Sequence, residues 1–142
     1  MPVNKIDLFL CDAREPISEA LLLKYLAALP YKEQIRLTKF SGVKWKNRLI
    51  SLALLYSELA IRTGEKSKNL KISRNTNGKP YLEEFSQYKF NLSHSNDFIA
   101  LAISLTNSIG LDIEKIDFSR RNLPRISARF FSSVDNEALL KY

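Results

Sequence analysis

Residues 90–116 limit the possible folds of this chain more than any other stretch. Two mostly apolar runs, 98–105 and 109–116, are separated by a short polar segment, Thr106-Asn107-Ser108, that has the composition of a turn. Apolar runs of this length favour β-strands when a turn joins them. The same stretch contains the sole histidine of the chain, His94, between two serines. We therefore expect strands here, with polar side chains beside an apolar core.

Two carboxylates, Asp112 and Glu114, interrupt the second apolar run two positions apart. On a strand this spacing places both side chains on one face, with backbones roughly 7 Å apart, while Leu111 and Ile113 point to the other face. Two like charges side by side on a core strand are costly unless a cation neutralises them. Hard oxygen ligands of this kind suit Mg²⁺. The alternative is a hairpin on which both carboxylates simply face solvent.

Residues 91–95 read Asn-Leu-Ser-His-Ser, and residues 109–114 read Ile-Gly-Leu-Asp-Ile-Glu. This pair of motifs resembles the signature of the surfactin-type 4'-phosphopantetheinyl transferases. The resemblance implies an enzyme that uses Mg²⁺ to move phosphopantetheine from coenzyme A to a serine of an acyl or peptidyl carrier protein. It also implies that Asp112 and Glu114 hold the metal in catalysis, and that Ser93 and His94 bind the coenzyme. A Ser-His catalytic pair is disfavoured, because adjacent strand residues point to opposite faces.

Composition narrows the class of protein. The 142 residues suffice for one domain with a real core, and 45% of them are apolar. The single cysteine, Cys11, excludes an internal disulfide. The sequence shows neither a signal peptide nor the ~20 apolar residues that a membrane helix needs, so we expect a cytoplasmic protein. The net charge of +7 favours an anionic partner, which could be nucleic acid, a phosphate-rich cofactor or an acidic protein.

Helices are predicted in the first half of the chain. Ser18 is a good N-cap for a helix whose apolar residues recur at helical spacing until Pro30. Residues 47–63 give the strongest helical pattern, with Gly64 as the stop. Short strands are predicted at residues 5–11, 70–74 and 89–92. We expect an α+β fold, an antiparallel sheet packed on a long helix, and the resemblance implies one half of the phosphopantetheinyl transferase pseudo-dimer.

Residues 31–48 are strongly basic, with Glu33 as their single acid. Charge alone favours a solvated face. The resemblance instead implies that Lys32, Arg36 and Arg48 bind the 3'-phosphate and pyrophosphate of coenzyme A.

Gly78-Lys79-Pro80 resembles the G-K-P motif of the same family. Glycine lets a backbone approach a ligand and proline fixes φ, so the lysine between them is held ready for phosphate. The resemblance assigns Lys79 and Pro80 to coenzyme binding, and Arg74 matches a basic position in some members.

The C-terminal stretch is predicted as a linker and the start of a second half-domain, 118–142, after a first half-domain at 1–117. Residues 129–132, Arg-Phe-Phe-Ser, resemble the family's R-F-F-S, and Asp135 stands at its acidic position as a possible general base. An acidic carrier protein could dock on the arginines of this stretch: Arg120, Arg121, Arg125 and Arg129. The family's W-x-x-K-E motif, which supplies a third carboxylate, is absent.

We therefore expect either a fragment or a natural truncation with an incomplete active site, which self-associates through the exposed face of the half-domain. The rival hypothesis is a non-enzymatic module that binds nucleic acid or another polyanion through the basic stretches. It explains the charge but leaves Asp112 and Glu114 without a role.

Overall fold

The computed structural model describes residues 5–116, together with 132 and 133, and shows an α+β fold as predicted. In chain order its elements are β1 (Ile6–Asp12), α1 (Glu19–Ala28), α2 (Tyr31–Leu37), α3 (Gly42–Thr63), a 3-10 turn (Ser67–Asn69), β2 (Ile72–Arg74), β3 (Pro80–Leu82), β4 (Lys89–Ser95) and β5 (Phe98–Ser104). Within these residues an antiparallel sheet has the strand order β1-β5-β4, and β2 pairs with β3 in a separate hairpin. No helix in the described part is long and apolar enough to cross a membrane.

The central strand β5 sets the two faces of the sheet. Leu101 lies opposite Phe9 on one side and Leu92 on the other, so these three side chains share the inner face. That face packs on α3, and the shared core contains Leu49 and Leu59 from the helix. The apolar residues of β5 and the long helix therefore form one core, as the sequence predicts.

Helix α3 begins at Gly42, ahead of the predicted start at residue 47. Trp45 packs against the core from this first turn, although the lysines around it hide the pattern in the sequence. The helix ends at Thr63 as predicted. Gly64 adopts a left-handed φ of 77°, and its amide donates to the Ala60 carbonyl at 2.9 Å.

The first helix is capped as the sequence predicts. The hydroxyl of Ser18 accepts a hydrogen bond from the Leu21 amide at 3.3 Å, and α1 ends at Ala28, before Pro30.

The prediction of a strand at residues 109–116 is wrong. This segment has no regular secondary structure, and two of its amides, those of Ile113 and Lys115, donate to side-chain hydroxyls of β4 rather than to backbone carbonyls. Its exposure still alternates. Leu111 and Ile113 are half-buried, whereas Asp112 and Glu114 are exposed.

The left-handed conformation at Gly64 gives a stability prediction. We expect Gly64→Ala to lower the free energy of unfolding by about 1 kcal/mol, because a Cβ strains a positive φ even though the space around it is open. Gly110→Ala is the matched control, since Gly110 has equally open surroundings and no positive φ. Urea unfolding of both variants measures the difference. Equal losses would contradict the assignment of the helix end.

Candidate active site

The segment of residues 109–116, called here the carboxylate segment, runs beside β4 at the edge of the sheet. The hydroxyl of Ser93 donates to Asp112 Oδ1 at 3.0 Å and accepts from the Ile113 amide at 3.2 Å. The hydroxyl of Ser95 accepts from the Lys115 amide at 3.0 Å. Two serines of the Asn-Leu-Ser-His-Ser motif thus hold the segment that carries both carboxylates.

The two carboxylates are available to a ligand. Asp112 Oδ1 accepts from the Ser93 hydroxyl and from the Ile113 amide, whereas Oδ2 accepts no hydrogen bond from the described residues. Neither Asp112 nor Glu114 forms an ion pair with a described side chain. Both carboxylates are exposed to water, so the like-charge cost expected on a buried strand does not arise, and their oxygens are accessible to a ligand.

The β2–β3 hairpin brings its lysine to the start of the carboxylate segment. Asn75 Oδ1 accepts from the amides of Asn77 and Lys79, and Gly78 takes a φ of 77°, which closes the turn. The Lys79 ammonium then donates to the Ile109 carbonyl at 2.8 Å and to the Ser108 hydroxyl at 3.1 Å. The three motifs identified in the sequence therefore meet in one place.

Arg74 and Pro80 support this turn. They lie opposite each other where β2 pairs with β3, and the Arg74 guanidinium donates to the Gly78 carbonyl at 2.7 Å. That bond fixes the glycine directly before Lys79.

His94 and Ser93 lie on opposite faces of β4, because they are consecutive residues of one strand. The Ser93 hydroxyl is already bonded to Asp112, and His94 is exposed. The geometry agrees with the argument against a Ser-His catalytic pair.

The basic residues of the helical stretch are not joined to the carboxylate segment. Arg36 pairs with Glu33 at 2.9 Å, and the Arg48 guanidinium stacks 4.5 Å from the centre of the Phe40 ring. Lys32 lines a separate cavity. Within residues 5–116, no hydrogen bond or ion pair links these three cations to Asp112 or Glu114.

The cavity beside Lys32 has a volume of about 710 Å³, which is the size of a small-molecule site. It lies between α2, the 3-10 turn and the base of the β2–β3 hairpin, and its floor contains the buried Glu33 and Tyr56. Burial, with the charge of Glu33 nearby, raises the pKa of the Tyr56 hydroxyl, which therefore stays protonated.

The donor set fits Mg²⁺ better than a soft metal. No group of three or more His, Cys, Asp and Glu side chains that could hold a metal occurs in the described part of the chain. Asp112 and Glu114 offer two hard oxygen ligands in water-exposed positions. Magnesium commonly binds in this way, with one or two carboxylates, several waters and the phosphates of a ligand.

Some predicted residues lie outside the described ranges. They are the possible general base, Asp135, and the proposed docking arginines, Arg120, Arg121, Arg125 and Arg129. No role for Ser95, Ser108 or Asn75 is predicted from the sequence. The partners of Ser95 and Ser108 lie 20 and 29 residues away along the chain, so only the fold reveals them. The bonds of Asn75 to the amides of Asn77 and Lys79 are local.

Comparison with known proteins identifies the family to which this chain belongs. Residues 14–107 match the family model described as 4'-phosphopantetheinyl transferase, N-terminal. This match spans well over half of the chain, and the protein belongs to that family. It includes Lys32 and His94 but ends before Asp112.

A solved structure shows the same fold. It is a holo-(acyl-carrier-protein) synthase from Bacillus anthracis str. Ames in complex with CoA (3',5'-ADP), with a TM-score of 0.53 and 16% identity over 72% of this chain and 96% of that chain. No curated protein matches the sequence. The fold is thus consistent with a half-domain of the phosphopantetheinyl transferase fold.

The Lys79 anchor gives a prediction about stability. Lys79→Met should lower the free energy of unfolding by about 1 kcal/mol, because it leaves the partly buried Ile109 carbonyl without its charged donor. Lys71→Met, on the same hairpin, removes only an exposed contact with Glu84 at 3.6 Å and should change little. Urea unfolding of both variants tests this. A loss for Lys71→Met as large as for Lys79→Met would refute the anchoring role.

Proposed function

We propose that this protein belongs to the surfactin-type branch of its family and acts in the Mg²⁺-dependent transfer of 4'-phosphopantetheine from coenzyme A to a serine of a carrier protein. One observation carries the proposal. The fold brings Lys79 of Gly78-Lys79-Pro80, Ser93 and Asp112 to a single segment through three side-chain hydrogen bonds. The family match supports the reaction class and the solved neighbour, bound to CoA, supports the ligand.

The chemistry assigned to these residues is positioning and charge stabilisation. The serine oxygen of the carrier forms a bond to the β-phosphorus of coenzyme A as the bond to the 3',5'-ADP leaving group breaks. Asp112 and Glu114 would hold Mg²⁺, which supplies stabilisation of the negative charge on the phosphoryl oxygens. Lys79, which contacts the start of the segment, and His94, which the family resemblance assigns to the coenzyme, would orient the pyrophosphate. Asp135 stays our candidate for the base that receives the serine proton.

The nucleotide end of coenzyme A is assigned to the α2 side of the molecule. Lys32 on this side lines the cavity described above. The exposed Arg36 and Arg48, which follow it in the sequence, are assigned as further phosphate ligands. A ligand that extends from this cavity along the β2–β3 hairpin would pass from Lys32 to Lys79, because the hairpin contributes to both places. This path gives the molecule one extended binding surface.

The partners follow from charge and exposed apolar surface. An acidic carrier protein in the cytoplasm is proposed to dock on Arg120, Arg121, Arg125 and Arg129. A second half-domain, or a second copy, is proposed to cover the outer face of β1. There Ile6, Leu8 and Leu10 are 53%, 65% and 68% exposed on an edge strand, an arrangement that promotes association.

Coenzyme A binding tests the proposed phosphate ligands. Calorimetry should show tighter binding of coenzyme A than of dephospho-coenzyme A, because only the former carries the 3'-phosphate. Lys32→Met should weaken coenzyme A binding about tenfold and reduce the difference between the two ligands. Lys24→Met, at an exposed position of α1, is the matched control. Equal affinities of the wild-type chain for both ligands would remove the 3'-phosphate from the assignment.

The transfer step has its own test. Apo carrier protein is incubated with coenzyme A, Mg²⁺ and the 142-residue chain and then analysed by mass spectrometry. We expect little or no addition of the phosphopantetheine mass, because the sequence lacks the motif that supplies the family's third carboxylate. Robust addition by a monomeric chain would contradict the proposal that the active site is incomplete.

The rival hypothesis of a polyanion-binding module makes a different prediction. Salt-sensitive binding of nucleic acid without any binding of coenzyme A would favour it.

A further inference from the structure

The carboxylate segment is attached to β4 in an unusual way. A strand at the edge of a sheet normally receives a neighbour through backbone hydrogen bonds. Here the hydroxyls of Ser93 and Ser95 take the place of carbonyls and accept the amides of Ile113 and Lys115. Side chains of β4 therefore determine where the segment lies.

The two serines act at a constant offset. Each hydroxyl accepts the amide of the residue twenty positions later, so a step of two residues along β4 corresponds to a step of two along the segment. The two chains consequently run in the same direction. Alternate amides of an extended chain point to one side, so both held amides face β4. The two held amides, those of Ile113 and Lys115, lie on either side of Glu114 in the sequence, and Asp112 directly precedes Ile113.

We propose that Ser95 is a positioning residue, which fixes the register of the carboxylate segment and thereby the place of Glu114 relative to Asp112. The inference rests on the proposed function, since it assigns Ser95 to the site through Glu114. Ser95 touches neither carboxylate and is given no contact with coenzyme A. It acts through the Lys115 amide, the residue directly after Glu114.

A substitution of Ser95 is easier to interpret than a substitution of Ser93. The Ile113 amide has a second acceptor, Asp112 Oδ1 at 3.0 Å, so removal of the Ser93 hydroxyl leaves it a partner. The Ser93 hydroxyl also donates directly to Asp112. Its removal would therefore change both the hydrogen bonding of this carboxylate and the position of the segment. For the Lys115 amide, the hydroxyl of Ser95 is the one acceptor found within the described residues.

The first measurement follows the hydrogen bond itself. Amide exchange is recorded by NMR for the wild-type chain, Ser95→Ala, Ser95→Thr and a control, Ser86→Ala, at an exposed loop position. In Ser95→Ala the Lys115 amide should exchange about fivefold faster, while the Ile113 amide keeps its rate. Ser95→Thr retains a hydroxyl and should restore the wild-type rate. Unchanged exchange at Lys115 in Ser95→Ala would overturn the proposal.

The second measurement connects position to metal binding. Mn²⁺, used as a paramagnetic probe in place of Mg²⁺, is titrated by electron paramagnetic resonance in the presence of coenzyme A. Ser95→Ala should weaken Mn²⁺ binding roughly tenfold, as loss of a residue that supports a ligand typically does. Ser95→Thr and Ser86→Ala should bind Mn²⁺ like the wild type, and all four proteins should bind metal-free coenzyme A equally.

The outcomes separate the two proposals. If the wild-type chain binds Mn²⁺ and Ser95→Ala binds it equally well, this inference is overturned and the proposed function stands. If the wild-type chain binds no Mn²⁺, the metal-dependent function fails, and with it the role of Ser95 in metal binding. If Ser95→Ala binds Mn²⁺ more weakly and Ser95→Thr binds it like the wild type, the result supports both the proposed function and the role of Ser95.

Discussion

The double pairing of β5 is the constraint on which the rest of the structure depends. Its residues 99–103 are each at most 4% exposed, and both of its edges are bonded, to β1 and to β4. A strand that is buried on both faces cannot slip by one residue without exchanging large and small side chains across the sheet. Ile99, Leu101 and Ile103 would then trade places with Ala100 and Ala102. The register of β4 is thus set by an apolar strand that contributes no functional group.

The position of β4 at an edge explains where the site forms. Its inner face contributes Phe90 and Leu92 to the core under α3, while Ser93 and Ser95 remain free to bond outside the backbone pairing. Hydroxyl groups rotate and can exchange one partner for another, whereas a backbone ladder is rigid. The carboxylate segment is therefore aligned with the sheet without belonging to it. Such attachment allows local opening without disruption of the core.

The sequence predicts those features that depend on neighbours along the chain. The Ser18 cap, the Gly64 helix end and the alternating exposure of residues 111–114 all have local causes. The predicted strand at residues 109–116 is wrong, because alternating exposure requires only an extended chain and does not identify its backbone hydrogen-bond partners. The buried Glu33 and the cavity beside it depend on how α2 meets the hairpin, which no local pattern contains.

The structure also gives a physical reason for a lysine at position 79. An ammonium has three donors that rotate freely, and two of them are used on the Ile109 carbonyl and the Ser108 hydroxyl. The third can donate to a phosphate oxygen without release of the other two. An arginine would present its donors in a planar fork of fixed geometry, whereas the lysine ammonium can rotate to suit its partners. In the proposed complex a phosphate bound by Lys79 would therefore stand one side chain away from the segment that carries Asp112. Ligand binding and alignment of the carboxylates would then stabilise each other.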